Sequence, residues 1–486
     1  MKKIYTILSF AALLIITSCS NDFLNREPST SLTTDNAITS LKDVQVANEG
    51  LYSLMASTNY YNGAMFLYGD VKSDDVMATY WSSGRTSFPY YMFNHTAQSP
   101  SNGGLWGRPY YVIRNAYNII NAIDGGKVKN VDASKLNDYK GQALAIVALC
   151  HFDLLRVFGY PYAKDGGKSP GVPIVDHSIG FDENPDRSSV AECFNFIIDR
   201  LKEAIPLLNG EKNNGHFNSY AARALLSRVY LYCEKNKEAF ETADALIKDI
   251  KSSSKYALAT NDGYVDMFAH GNKFGSESLF EIANTDSSNP GRDGLGYLWH
   301  WWGYAALAMT SSFEEFIGQD WDDVRSNLVA WYWNSGDSSE YPILLKYPGP
   351  ANYWTPSFTN NYMVIRLSEV YLIAAEAAQK GGGSSADGLA YLNEIVKRGN
   401  PAKSVLAQDY TLDRVLDECR KEFFGEGHRY FDMLRNGKTM YRSGGKHLLN
   451  TPAEVNWNYY KCVLPISRDQ FVFNPNMAQN EGYARE

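Results

Sequence analysis

The sequence predicts an all-α fold of paired helices, and three observations carry that expectation. Apolar residues recur at three- and four-residue spacing in eight segments. Two stretches repeat a helix–turn–helix plan with small residues where helices must approach. Between the helical blocks lie long segments rich in Gly, Ser, Asn, Pro, Tyr and Trp. The 486 residues, 44% hydrophobic and 21% charged, suffice for a sizeable core.

At the N-terminus, "MKKIYTILSFAALLIITSCSND" sets Lys2 and Lys3 before an apolar run over 4–16 and two small residues ahead of Cys19. This reads as a secretory signal over 1–18, too short to span a membrane. The Ile16-Thr17-Ser18-Cys19 ending resembles a bacterial lipobox, which makes Cys19 the acylated first residue of the mature chain. Residues 19–36, Ser/Thr/Asn-rich with Pro28, read as a lipidated tether, and 37–486 as one helical domain.

Helices are expected over 105–123, 136–158, 190–208, 220–233, 237–250, 363–379, 388–397 and 412–424. In "NSYAARALLSRVYLYCEKNKEAFETADALIKDI", Ala221, Ala222 and Ala224 permit close approach and "EKNK" turns the chain, a hairpin of the tetratricopeptide kind. "MVIRLSEVYLIAAEAAQKGGGSSADGLAYLNEIVKR" repeats it, with Gly381 to Gly383 stopping one helix and Ser384, Ser385 and Asp387 available to cap the next. Stacked pairs would form a superhelical scaffold. The segments 59–104, 159–187, 253–304 and 330–361 read as long irregular loops that carry the ligand face.

The formal charge is −8, and losing Lys2 and Lys3 with the signal leaves −10. With no Lys/Arg cluster, nucleic acid is excluded as a partner. With Cys19 acylated, Cys150, Cys193, Cys233, Cys419 and Cys462 remain, an odd number without zinc spacing, and they read as buried thiols. Trp106 opens an amphipathic helix and reads as core. "YAKDGGKSP" has Tyr162 where a Walker loop needs glycine, and Pro170 where its helix should continue. The glycines of "PGRDGLGY" are in the wrong order for a dinucleotide fingerprint. "DWDDVR" offers three acids but lacks the glycine and distal glutamate of a calcium loop.

Five motifs in order resemble the SusD/RagB family of surface glycan-binding lipoproteins, from the lipobox to the last residues. They are "SCSNDFLNREP"; "GQALAIVALCHFDLLRVFGYPY"; "NYMVIRLSEVYLIAAEAAQKGG", with Arg366, Glu369 and Glu376; "RKEFFGEGHRYFDMLRNGK", with Arg420, Glu422, Glu426 and Arg429; and "VLPISRDQFVFNPNMAQNEGY". The resemblance implies helical hairpins with an irregular ligand-facing half, binding of oligosaccharide without cleavage, and an outer-membrane location. It also implies a SusC-like TonB-dependent transporter as partner. It transfers no ligand residue, because ligand loops vary across the family. The charged residues of the shared motifs read as structural ion pairs along helix surfaces.

Aromatic residues reach 14%, and seven of ten tryptophans fall between 299 and 354. Pyranose rings present apolar C–H faces and a hydroxyl rim, so a sugar site needs flat aromatics and polar side chains. "GYLWHWWGY" supplies both, between glycines that permit a loop. The candidate ligand residues are Tyr297, Trp299, Trp301 and Trp302, with Trp81 and Trp331 as additions. No catalytic residue, metal ligand or cofactor is assigned. Two other readings stay open: a surface glycoside hydrolase using carboxylates such as Glu314, Glu315, Asp320 or Asp323, and a helical-repeat scaffold that binds protein.

Overall fold

Short polar residues start most of the long helices. Helix α1 (Leu41–Met55) opens on a capping box in which the Ser40 hydroxyl accepts from the Asp43 amide and the Asp43 carboxylate accepts from the Ser40 amide. The computed structural model describes residues 37–79, 85, 87–180, 183–212, 214–269, 273–334, 339–348 and 358–485. The signal, Cys19, the tether and Trp81 therefore lie outside the described residues.

Eight more long helices follow: α2 (Pro100–Asp124), α3 (Ala133–Phe158), α4 (Val190–Ala204), α5 (Ser219–Tyr232), α6 (Asn236–Ser253), α7 (Leu367–Gln379), α8 (Ser385–Gly399) and α9 (Leu412–Glu422). α2 packs on α3 and α3 on α4, while α5, α6, α7 and α8 pack successively. Helix α3 is apolar enough to cross a membrane, but its apolar stretch is almost wholly buried and forms a core helix.

The two hairpins read from the sequence are α5–α6 and α7–α8, and they are neighbours. Asn218 caps α5 by accepting from the Ala221 amide at 2.9 Å, and Ser384 caps α8 by accepting from Asp387 at 3.2 Å. Where the hairpins meet, a Cβ on Gly382 would lie 2.2 Å from the Asn236 carbonyl oxygen, so the approach requires glycine.

Several expectations need correction. Residues 59–104 do not form a surface loop throughout: the helix Ala64–Val71 is buried on every side, and Val76–Ala78 is a buried strand. A helix enclosed all round shows no amphipathic period, which is why the pattern missed it. The helix expected from 363 begins at Leu367 instead. Its first residues belong to the strand Tyr362–Arg366, which carries β-branched Val364 and Ile365 and pairs antiparallel with Ser278–Ile282.

The fold is therefore about half helical, with five two-stranded antiparallel pairs among the described residues rather than helices alone. Cys150, Cys193, Cys233, Cys419 and Cys462 are free and buried, and Trp106 packs edge-on against Phe158 in the core. The charged residues of the shared motifs form ion pairs, but mostly across the fold rather than along helix surfaces, where Glu376 with Lys380 is the i,i+4 case. Glu369 pairs with Arg228, Arg420 with Asp75, and Arg429 with Asp74. These partners lie 141 to 355 residues away in sequence, because buried charges must find a counter-charge wherever packing brings one.

Candidate functional site

The Trp-rich region rises from the core on a short helix, Leu295–Trp299, which turns Leu295, Leu298 and Trp299 inward. The next residues fold into a tight loop closed by the Tyr304 amide donating to the Tyr297 carbonyl at 2.8 Å. A Cβ on Gly303 would sit 2.2 Å from that same carbonyl oxygen, so the loop depends on glycine. The chain then enters the strand Leu307–Met309, which pairs with Val76–Ala78 and pins the loop to the core.

The loop divides its aromatic residues. Trp299 is 1% exposed and lies against Phe424 with ring centroids 5.7 Å apart, so the structure removes it from the ligand candidates. Tyr297 is half-buried and stacks on Phe358 at 4.7 Å and 9°. Trp301 lies between His300 at 4.3 Å and Tyr332 at 6.5 Å, each at 28°. Trp302 stands 69% exposed, with its amide donating to His300 Nδ1 at 3.0 Å.

A β-hairpin, Val329–Asn334 with Ser339–Leu344, completes the surface. Side chains alternate across a strand, so Trp331 and Trp333 share one face and Tyr332 takes the other. Tyr332 faces Tyr341 at 5.8 Å and extends the stack that begins at His300. On the opposite face Trp331 is 38% exposed, Trp333 64% and Trp321 56%, with Trp321 and Trp331 centroids 5.9 Å apart. Glu314 Oε1 accepts from Trp331 Nε1 at 2.8 Å and fixes that ring's plane. On one face of the hairpin, then, the rings cover one another, and on the other they are open to solvent. Trp321 and Trp333 were not among the sequence candidates. The alternation in "AWYW" carries the signal for Trp333; the contact of Trp321 with Trp331 is made only in the fold.

Both roots of the hairpin are tied to buried carboxylates. Before the first strand, Arg325 binds Asp323, Glu418 at 2.6 Å and Glu422 at 3.1 Å. After the second strand, Lys346 Nζ donates to the Glu422 carbonyl oxygen at 2.7 Å and to Glu426 at 2.6 Å. Arg366 joins Glu422, Glu426 and Glu277, and Arg398 joins Glu277 and Glu422. Burial pushes the Glu422 carboxyl up, but Arg398, Arg366 and Arg325 outweigh it and hold it well below the usual carboxylate range.

Three of the acids near the open face are engaged, while Glu315 and Glu340, the latter opposite Trp333 in the hairpin, stand exposed. Glu314 holds Trp331, Asp320 accepts from Asn400 at 3.0 Å, and Asp323 is buried with Arg325. Among the described residues no group of three His, Cys, Asp or Glu side chains is placed to hold a metal ion.

Comparison with known proteins agrees with this architecture. Residues 318–483 match the model of the SusD family, and residues 22–231 match a model described as starch-binding and associating with the outer membrane. A solved SusD superfamily protein from Bacteroides vulgatus ATCC 8482 is 51% identical, with a TM-score of 0.89 over 92% of this chain and all of that one. A putative sugar binding protein from the same strain is 39% identical, with a TM-score of 0.84 over 92% of this chain and all of that one. The fold is also shared by surface glycan-binding protein A from Bacteroides thetaiotaomicron in complex with laminarihexaose, 21% identical with a TM-score of 0.72 over 91% of this chain and all of that one. The chain belongs to the SusD family.

Proposed function

We propose that this protein is an outer-membrane lipoprotein, anchored through Cys19, that binds an oligosaccharide on its open tryptophan face and delivers it to a SusC-like TonB-dependent transporter. The observation that carries the reading is the exposure of Trp321, Trp331 and Trp333 on one face of a hairpin whose roots are tied to buried ion pairs, with Trp302 exposed beside the other face. Contiguous exposed aromatic surface marks an interaction site, and flat rings with free faces suit the C–H faces of pyranoses. The family description as starch-binding and the relatives named for sugar or glycan binding support the ligand class. Binding without cleavage is supported by the engagement of Glu314, Asp320 and Asp323 in structural contacts. The successive packing of α5 to α8 supports a tetratricopeptide-like scaffold beneath the site.

The test is titration with maltohexaose and laminarihexaose, with reducing ends counted before and after. Trp331→Ala or Trp333→Ala should weaken binding by about 1–3 kcal/mol and leave the reducing ends unchanged. Wild-type affinity in both variants and in Trp302→Ala, or glycan shortening by the wild-type chain, would refute the reading.

A further inference from the structure

A second concave surface shares no described lining residue with the tryptophan face. It is a groove of about 490 Å³ between the first half of α2, the chain that follows Pro173, and the C-terminal segment around the helix Arg468–Phe473. Cavities in the core, by contrast, measure about 20–30 Å³, room for a water or two. A groove of this size falls within the range of small-ligand sites.

The groove is built rather than incidental. Trp106, Val175 and Met477, all buried, form its floor, and Phe473 stands 69% exposed at its lip. Hydrogen bonds tie its three segments to one another and to the core. Tyr110 donates to the Pro173 carbonyl at 2.9 Å, and the Val175 amide donates to His151 Nε2 at 3.1 Å. Asn474 Nδ2 donates to Asp186 at 3.0 Å and to the Asn184 carbonyl at 3.2 Å. These bonds fix the three segments relative to one another.

Its polar groups have one chemical character. Arg114, Glu183, Asn184, Gln470 and Asn474 all end in planar forks. The Glu183 carboxylate is steadied by His177 and the Gly180 amide, and Asn474 by the bonds just given. The side chains of Arg114, Asn184 and Gln470 line the groove and have no hydrogen bond or ion pair with another described residue. A planar fork matches two neighbouring hydroxyls of a sugar ring, and an exposed phenyl ring matches its C–H face.

We propose that this groove is a second saccharide subsite, independent of the tryptophan face and able to hold a short oligosaccharide. The saccharide class rests on the same chemistry as the reading above, but the site does not depend on it. Two sites on one chain would let a long polysaccharide bind by avidity, whereas a short fragment would occupy each site separately.

The test uses the full chain in a sugar-free detergent, titrated with maltohexaose, laminarihexaose, xylohexaose and mannohexaose. At least one of these should fill two sites per chain. The pair Arg114→Ala with Phe473→Ala should weaken one site about tenfold or more and leave the other unchanged, and Trp331→Ala with Trp333→Ala should do the reverse. Both pairs replace exposed side chains, so the melting temperature should stay at the wild-type value. Loss of binding confined to the tryptophan pair overturns the groove and leaves the tryptophan face standing, as does a groove that docks protein instead of sugar. Loss confined to the groove pair keeps this proposal and overturns the tryptophan face; no binding of any of the four overturns both.

Discussion

Lys346 Nζ lies 2.6 Å from Glu426 Oε1, in a buried ion pair at one root of the tryptophan hairpin, while Arg325 makes the matching contact to Glu422 at the other. Both strands thus leave and re-enter the core against one short stretch, α9 and the few residues after it. Presenting aromatic rings outward needs such a base, because rings that face solvent bury little apolar surface of their own.

Breaking the pair from one side should be costly. Lys346→Met leaves Glu426 with Arg366 alone and should cost about 3 kcal/mol, since an unbalanced charge stays buried. Adding Glu426→Gln should recover about 1 kcal/mol or more, because it removes that imbalance while Arg366 keeps Glu422 and Glu277. Denaturant melts of the two single variants and the double variant form the cycle. Strict additivity would show that the two groups are not coupled.

The two sides of the Trp loop should separate cleanly. Trp299→Ala empties a packed core position and should cost about 3–5 kcal/mol of stability. Trp302→Ala changes an exposed side chain and should stay within about 0.5 kcal/mol of wild type. Thermal melts decide it, and a fall for Trp302→Ala as large as that for Trp299→Ala would contradict the assignment of one ring to the core and the other to solvent.

The helical scaffold was legible in its longer helices. Helices α6 and α8 show an amphipathic period because one face meets water, whereas α5 and α7 are buried almost throughout and were legible from their length, their small residues and the glycine stop at 381–383. The helix Ala64–Val71 is equally enclosed and only eight residues long, so it offers neither a period nor enough turns to be read. Aromatic crowding pointed equally to Trp302 and Trp331, which stand exposed, and to Trp299, which is buried, since composition counts rings but does not say which way a helical turn points them. The groove left no local mark at all. Its residues come from three stretches centred near 110, 180 and 473, each unremarkable alone.

Anchoring is expected to depend on one atom, the Cys19 sulfur. Each buried acyl methylene contributes about 0.8 kcal/mol, and attachment through more than one chain is stable. Cys19→Ala should therefore release the protein in soluble form and abolish incorporation of a fatty-acid analogue. Labelling that persisted in the variant would place the lipid elsewhere or reject it.

The last prediction concerns Glu281, on the strand Ser278–Ile282 and beside Lys346 and Asn361 in a small core cavity. Burial pushes its carboxyl up to about 7, against a smaller opposing effect of the Asn361 amide, which donates to Oε1 at 3.1 Å. The folded chain then holds a proton there that the unfolded chain releases near its ordinary value of 4.5. Between those two values the native state binds more protons than the unfolded state, so stability from this group is complete below the lower value. It is lost as pH rises toward 7 and changes no further above it. Glu281→Gln keeps the accepting oxygen and carries no charge at any pH. It should match wild type at pH 4 and exceed it by about 3 kcal/mol at pH 8, with the difference growing across the window. The difference between the two stability curves isolates Glu281 from every other titrating group, and a difference that stayed flat from pH 4 to pH 8 would mean that the carboxyl ionises in the folded state as readily as in water.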